Sequence, residues 1–473
     1  EEHLMGAQDR IGNNTRAAIT ARLAEFIVNT RYEDIPDEVL RLARHSFLDT
    51  LGVALGGVPE RAPQLLARYV KEQGGIPSAT VLAQGFRTNA PNAALVNGTA
   101  ADILGWSDIS VIQMNHPSVS ICPVVWALGE QTKASGKTAL LAHVIGIEVA
   151  DKIGAGIRPA FQLKGWHPLA VLNTFGAAAA AGKLLDLDIG RTRNALGIAG
   201  AEASGIRVAM GTMSKAYGAG RSARDGIVSA QLAAIGYTGP ANVIEARDGF
   251  LQTFGDGASG AGILEHLGNP FEFSAPGITL KKFPACTRSH NGIQAVLNLR
   301  AKHRLSPDAV ESIECLVTPA VVDYLKFPNP QSKFESKYSM EFCVATALRD
   351  GKVVNASFSD AKLGDPELAS IMQRVKMSVW PEYAKHGYNP PHAPYGCLVK
   401  IKLKGGQAIS EQVDKGPWEP ETPPSWEDLV DKYRSSSELV LSKAQSDRSI
   451  ELVHNLEKLA DLGELMALVA GNP

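Results

Sequence analysis

The chain has 473 residues, enough for two or three domains with cores of their own. Hydrophobic residues make up 45% and charged residues 20%, which excludes a disordered polymer. The 47 basic and 49 acidic side chains leave a net charge of −2, so there is no electrostatic ground for a nucleic-acid or membrane-surface partner.

From residue 16 to 268 the pattern is helical almost throughout. Val39, Leu40, Ala43, Phe47 and Leu51 recur at three- and four-residue spacing after Pro36, which predicts a helix that Gly56-Gly57 should end. Further apolar helices are expected near 92–104, 117–130, 138–153, 167–185, 190–203 and 222–235. Small residues, above all GAAAAAGKLL at 176–185, let helices approach closely and so predict a compact bundle. The character changes near 269. VESIECLVTP (310–319) alternates as a strand does, with Ile313, Cys315 and Val317 on one face. VKMSVW (375–380) and CLVKIKLKGG (397–406) also read as strands, with helices expected at 290–303 and 338–350. A Pro-rich linker, GPWEPETPPSW (416–426), leads to a helical tail over 427–470. The expected fold is mainly α with an inserted α+β domain. A discontinuous helical domain (16–268, then linker and returning helices over 415–473) carries a smaller α+β lid over 269–414.

Several chemistries have no motif here. There is no P-loop, HExxH or zinc-spaced Cys/His set, and no GxSxG elbow, so neither metal nor nucleotide is expected. The five cysteines, Cys122, Cys286, Cys315, Cys343 and Cys397, are scattered without a Cys-x-x-Cys, as in a reducing compartment. No apolar run reaches the ~20 residues of a membrane span. The polar start EEHLMGAQDR has no signal-peptide apolar stretch, and a cytoplasmic protein is the expectation.

Four segments could carry chemistry. His116-Pro117 and His167-Pro168 each stand at the start of a predicted helix, which places each histidine near the N-cap. Helix N-termini favour bound carboxylates and disfavour the imidazolium form, so such a histidine is either a cap or a neutral base beside an anion site. GIRVAMGTMSKAYGAGRSARDG (205–226) holds Lys215 among glycines, with Arg207 and Arg221 nearby. A lysine among cations can serve as an acid or base, and arginines can grip carboxylates through two parallel hydrogen bonds. In LKKFPACTRSHNGIQAVLNL (280–299), Lys281, Lys282, Arg288 and His290 precede another helix.

Taken together, NGTAADILGWSD with NHPS, GWHPLAVLNTFGAAAAAGKLLDLD, GTMSKAYGAGRSARDG, KKFPACTRSHNG and KYSMEFCVATAL make the chain resemble the MmgE/PrpD family. That family contains 2-methylcitrate dehydratase, cis-aconitate decarboxylase and iminodisuccinate epimerase. The resemblance implies a helical domain with an α+β lid, a homodimer, and acid–base chemistry on small di- or tricarboxylates without a required cofactor. It implies active-site roles for His116, His167, His290 and Lys215, and for Lys281 with Lys282 as the alternative. Where the family commonly reads Leu-Asp-Tyr-Asp-Asp-Thr, this chain has Leu104-Gly105-Trp106-Ser107-Asp108-Ile109 and keeps only Asp108.

The expected activity is proton abstraction or delivery at a carbon next to a carboxylate of a small polycarboxylate. Lys215, His167, His116, His290 and Asp108 are the catalytic candidates; Arg207, Arg221, Arg288, Lys281 and Lys282 are the carboxylate-binding ones. The family favours a lyase. The missing acids favour an isomerase or a non-catalytic carboxylate binder, and both stay open at this point.

Overall fold

The computed structural model describes residues 18–110, 113–157, 161, 164–390 and 392–471. The expected domain start at 16 and the polar N-terminal segment lie outside the described residues. The chain divides into two compact units. One comprises the chain up to Ile103, Ser107–Thr279 and Ser425 onward; the other comprises Leu104–Trp106 and Leu280–Pro424.

The first unit is helical, with α1 (Asp37–Gly57), α2 (Ala90–Ile103), α3 (Ser118–Thr132), α4 (Gly136–Ala155), α5 (Pro168–Leu184), α6 (Ile189–Glu202) and α7 (Met213–Ala234). Helix α5 is apolar on every side and buries all its residues except Lys183, because α4, α6 and α7 pack around it. The glycines are what allow the close approach. A Cβ on Gly220 of α7 would stand 2.0 Å from the Leu95 carbonyl oxygen of α2, so only glycine fits where these helices cross. Gly57 plays the same part against the Ala100 carbonyl. It is the last residue of α1, so the helix ends at the Gly56-Gly57 pair as expected, and Gly57 also serves packing. The Trp426–Ser437 helix returns to α1, where the buried Lys432 ammonium meets the Asp49 carboxylate at 2.7 Å.

Helix α7 starts nine residues before the expected 222. Thr212 accepts a hydrogen bond from Ser214 N–H as its N-cap, and Gly218, Gly220 and Gly226 are helical residues facing neighbours. Lys215 therefore stands on the first turn of a helix. A short antiparallel hairpin, β1 (Ala79–Val81) with β2 (Phe86–Thr88), was also not expected. Three-residue strands are too short to show an alternating pattern.

The second unit holds a four-stranded sheet in the order β4-β3-β5-β6, made of β3 (Val310–Val317), β4 (Val375–Val379), β5 (Cys397–Leu403) and β6 (Ala408–Val413). β3 runs parallel to β4 and antiparallel to β5, with Ile313, Cys315 and Val317 all buried. Helix α8 (Thr287–His303) packs on β5 and β6, and α9 (Met340–Asp350) on β4. The fold is thus mainly α with a small mixed sheet. Among the described residues no helix is long and apolar enough to cross a membrane.

Candidate active site

In the first unit a two-rung ladder places His167. Trp166 and Ile206 pair as an antiparallel bridge, His167 N–H donates to the Gly205 carbonyl (3.0 Å), and Arg207 N–H donates to the Gly165 carbonyl (2.8 Å). The ladder sets the start of α5 beside the loop that leads into α7. His167 is the N-cap residue with Pro168 at N1, as expected, yet its imidazole makes no capping hydrogen bond. The ring is buried, and desolvation, followed by the positive charges of Lys215 and Arg207, lowers its pKa to about 3. It is a neutral imidazole at physiological pH, next to two cations.

That shift has a measurable consequence. In the unfolded chain His167 titrates near 6.5, so between pH 6.5 and 3 the unfolded state holds the extra proton and stability falls as pH falls. From pH 7.5 to pH 5.0 this one group is expected to cost the parent ~2 kcal/mol. A His167→Asn variant has no imidazole to protonate, so it should close that gap on the parent at pH 5.0. Urea unfolding of both proteins at the two pH values checks it; a difference between them that does not change with pH would show that His167 is not held neutral.

Lys215 reaches back from α7 to the end of α2, where its Nζ lies 2.5 Å from Asp102 Oδ1. The Asp102 side chain has no solvent exposure and that of Lys215 keeps 13%, so the ion pair is largely removed from water. Asp102 was not among the candidates. The available signal was a lone acid in the otherwise neutral, small-residue run Ala90–Ile103.

His116 is held differently. Its Nδ1 lies 2.6 Å from the Asp108 carbonyl oxygen. A carbonyl can only accept, so Nδ1 carries a proton, and the tautomer this fixes for a neutral ring places the lone pair on Nε2. Helix α3 begins at Ser118 with Pro117 as its N-cap residue, so His116 stands one position before the cap and does not cap the helix. The Asp108 carboxylate, fully buried, takes that role by accepting the Ser118 N–H and the Ser46 hydroxyl, both at 3.4 Å. Asp108 thus meets His116 through its carbonyl and the start of α3 through its carboxylate.

The arginines divide. Arg207 sits half-buried on the loop beside His167. Arg221 directs its two terminal nitrogens at the carbonyls of Glu202, Ala170 and Ser204 and at Asp225 Oδ2, at 2.6–3.0 Å. Four of its five N–H donors are thereby committed to protein oxygens, which leaves no fork for a substrate carboxylate. The expected grip by Arg221 is corrected on that ground: it ties α7 to α5 and to the end of α6.

The second unit gathers the remaining cations. Lys281 Nζ donates to the Gly105 carbonyl (2.9 Å), Lys337 Nζ to the Leu104 carbonyl, and Trp106 Nε1 to the Lys282 carbonyl (3.1 Å). The turn in which the family acids are missing is thus pinned by backbone acceptors and lysines of this unit. Lys282 Nζ reaches Gln294 Oε1 at 3.3 Å. The Arg288 guanidinium lies 3.5 Å above the Tyr324 ring and 5.0 Å from that of Tyr395, a stacking that lysine could not reproduce. His290, one helical turn into α8, is buried edge-on against Phe283. Lys337 was missed as an individual residue, although it opens the motif KYSMEFCVATAL.

Comparison with known proteins agrees over most of the length. The MmgE/PrpD N-terminal domain matches residues 21–260 and the MmgE/PrpD C-terminal domain residues 283–458. Cis-aconitate decarboxylase of Mus musculus is 29% identical over 96% of this chain and 94% of its own. The protein of the same name from Homo sapiens is 28% identical over 96% and 95%. That from Aspergillus terreus is 27% identical over 97% of both chains.

Proposed function

The chain belongs to the MmgE/PrpD family, and from that premise we propose that it is a lyase acting on a small tricarboxylate, by loss of CO2 and protonation at carbon. The observation that carries the reading is the pairing, within one unit, of a desolvated neutral imidazole, His167, with an ion-paired ammonium, Lys215. When a carbon–carboxylate bond breaks, CO2 leaves and its bonding electrons stay on the remaining carbon framework, where a proton must quench them. Lys215 delivers that proton, and the ion pair with Asp102 holds its ammonium in place. His167 and His116 hydrogen-bond the carboxylates that remain, or relay the proton. Arg207 grips a carboxylate of the substrate, and the N-terminus of α5 stabilises negative charge as it develops. In this proposal the proton steps are carried by side chains alone, without a cofactor. His290 stays a catalytic candidate and Lys281, with Lys282 as the alternative, a site candidate as the resemblance implies, and Arg288 stays a carboxylate-binding candidate by its residue chemistry. A homodimer belongs to the same proposal, with Ile206 and Val208, 55% and 79% exposed beside Arg207, as apolar surface for it to cover.

One observation favours a second reading. His167 and Lys215 come from separate helices, and two proton-handling groups on one carbon is what an epimerase requires. Incubation with citrate, aconitate, methylcitrate and iminodisuccinate in deuterated buffer, followed by NMR, separates the two. Release of CO2 with one deuterium placed on carbon is the expected result. Exchange without net turnover would assign an isomerase, and saturable binding without exchange a carboxylate sensor.

The two arginines should separate in the same assay. Arg207→Ala is expected to raise KM about tenfold with kcat little changed, as for a charged hydrogen bond made equally in ground and transition states. Arg221→Ala should lower the melting temperature and leave KM near the parent value. Equal KM effects for both would return Arg221 to the substrate.

A further inference from the structure

Behind the His116 loop runs a polar chain that the acid–base reading leaves unused. Asn115, Ser120, Asp151 and Asn173 are all completely buried, and they stand on four different segments: the loop before α3, then α3, α4 and α5. Asn115 Nδ2 donates both its hydrogens, to Asp151 Oδ1 and to Asn173 Oδ1, each at 2.8 Å. Asn173 Nδ2 in turn donates to the His116 carbonyl (2.9 Å) and to Ser120 Oγ (3.1 Å). The Ser120 hydroxyl completes the chain by donating to the Ala219 carbonyl at 3.0 Å, one turn beyond Lys215 on α7.

A stack of aliphatic side chains could fill this volume, and buried polar groups are costly unless every donor is matched. What the amides provide and aliphatic packing does not is direction. The Asn173 amide is fixed from both ends, and it fixes the backbone of His116 against α5, which begins at His167, and against α7, which carries Lys215. The anchor at the far end is consistent with this. Burial, followed by the nearby Glu272 charge, pushes the Asp151 carboxyl well above the usual carboxylate range, and its Oδ1 is the fixed acceptor for Asn115. We infer that Asn173, anchored through Asn115 on Asp151, is a positioning residue that holds His116 in register with His167 and Lys215. The inference deepens the proposed lyase reading and rests on it for the role of His116.

The test is Asn173→Leu, a replacement of similar volume that removes the three hydrogen bonds of the Asn173 side chain, with Asn115→Ala as the second variant should the first not fold. Nitrogen-detected NMR of histidine-labelled protein, with the His116 signal assigned through His116→Asn, reads the imidazole without reference to activity. The parent should show the Nδ1-protonated tautomer, and the variant a mixture of tautomers or a broadened signal. In kinetics, kcat should fall about 10–100-fold, the scale of a small misplacement of a reacting group, while KM stays within about twofold. An unchanged tautomer signal with parental kcat overturns the inference. So does a fall in kcat, KM and melting temperature together with an unchanged signal, which marks a purely structural role. A changed signal in a protein whose parent turns over no polycarboxylate would keep the positioning and remove the lyase reading instead.

Discussion

Lys215→Met should lower turnover ~10²–10⁴-fold, the range for loss of a general acid or base. The same change removes the cation from a carboxylate with no solvent exposure, so it should also destabilise the fold. Breaking a buried pair from one side costs ~3–5 kcal/mol, and the partial exposure of Lys215 places this case near 3. The single variant therefore mixes two effects, and the double variant Lys215→Met/Asp102→Asn separates them. An amide at 102 needs no counter-charge, so the double variant should regain most of the lost stability and none of the activity. Urea unfolding together with CO2 release on both proteins gives the answer. A double variant that turns over within a few-fold of the parent removes Lys215 from the chemistry, whatever the single variant does.

The Lys215 case shows where the sequence could be read and where it could not. Long apolar helices such as α4 and α5 declare themselves through periodicity and small-residue runs, and their ends fall within two residues of the expected positions. Strands β3, β4 and β5 declare themselves through alternation, whereas β6 (Ala408–Val413) was not among the expected strands. The start of α7 did not declare itself, because Gly218 and Gly220 carry the signature of a loop, although in this packing Gly220 is the condition for a helix to lie against α2. A loop lysine could be replaced without structural cost; a helical lysine paired with Asp102 cannot. The partner was hidden for a related reason: Lys215 and Asp102 lie 113 residues apart, and no local pattern links them. The same holds for Arg221. As a residue type it suits carboxylate recognition, and only the positions of three carbonyls and Asp225 show that its donors are already committed. Residue chemistry was legible at His167, His116 and Lys215. The commitments of their neighbours are made by tertiary contacts.

For the two histidines the expected result is loss of activity in folded proteins. Asparagine is among the best N-cap residues, so His167→Asn should keep α5 or even add the capping hydrogen bond that the imidazole does not make. An amide cannot take up or release a proton near neutral pH, so if His167 handles protons its exchange and turnover should fall ~10²–10⁴-fold while the melting temperature at pH 7.5 holds. His116→Asn starts from a different position. That residue stands before the cap, and its ring is oriented by the Asp108 carbonyl. Its amide could still donate to that carbonyl, and what it loses is the Nε2 lone pair. Turnover should therefore fall with the loop geometry intact, and His116→Ala, which also frees the carbonyl, should fall at least as far. Deuterium exchange and melting temperature on all three proteins decide the assignment. A well-folded His167→Asn protein with near-parental exchange would return that residue to a purely architectural role and leave His116 and Lys215 as the proton-handling pair.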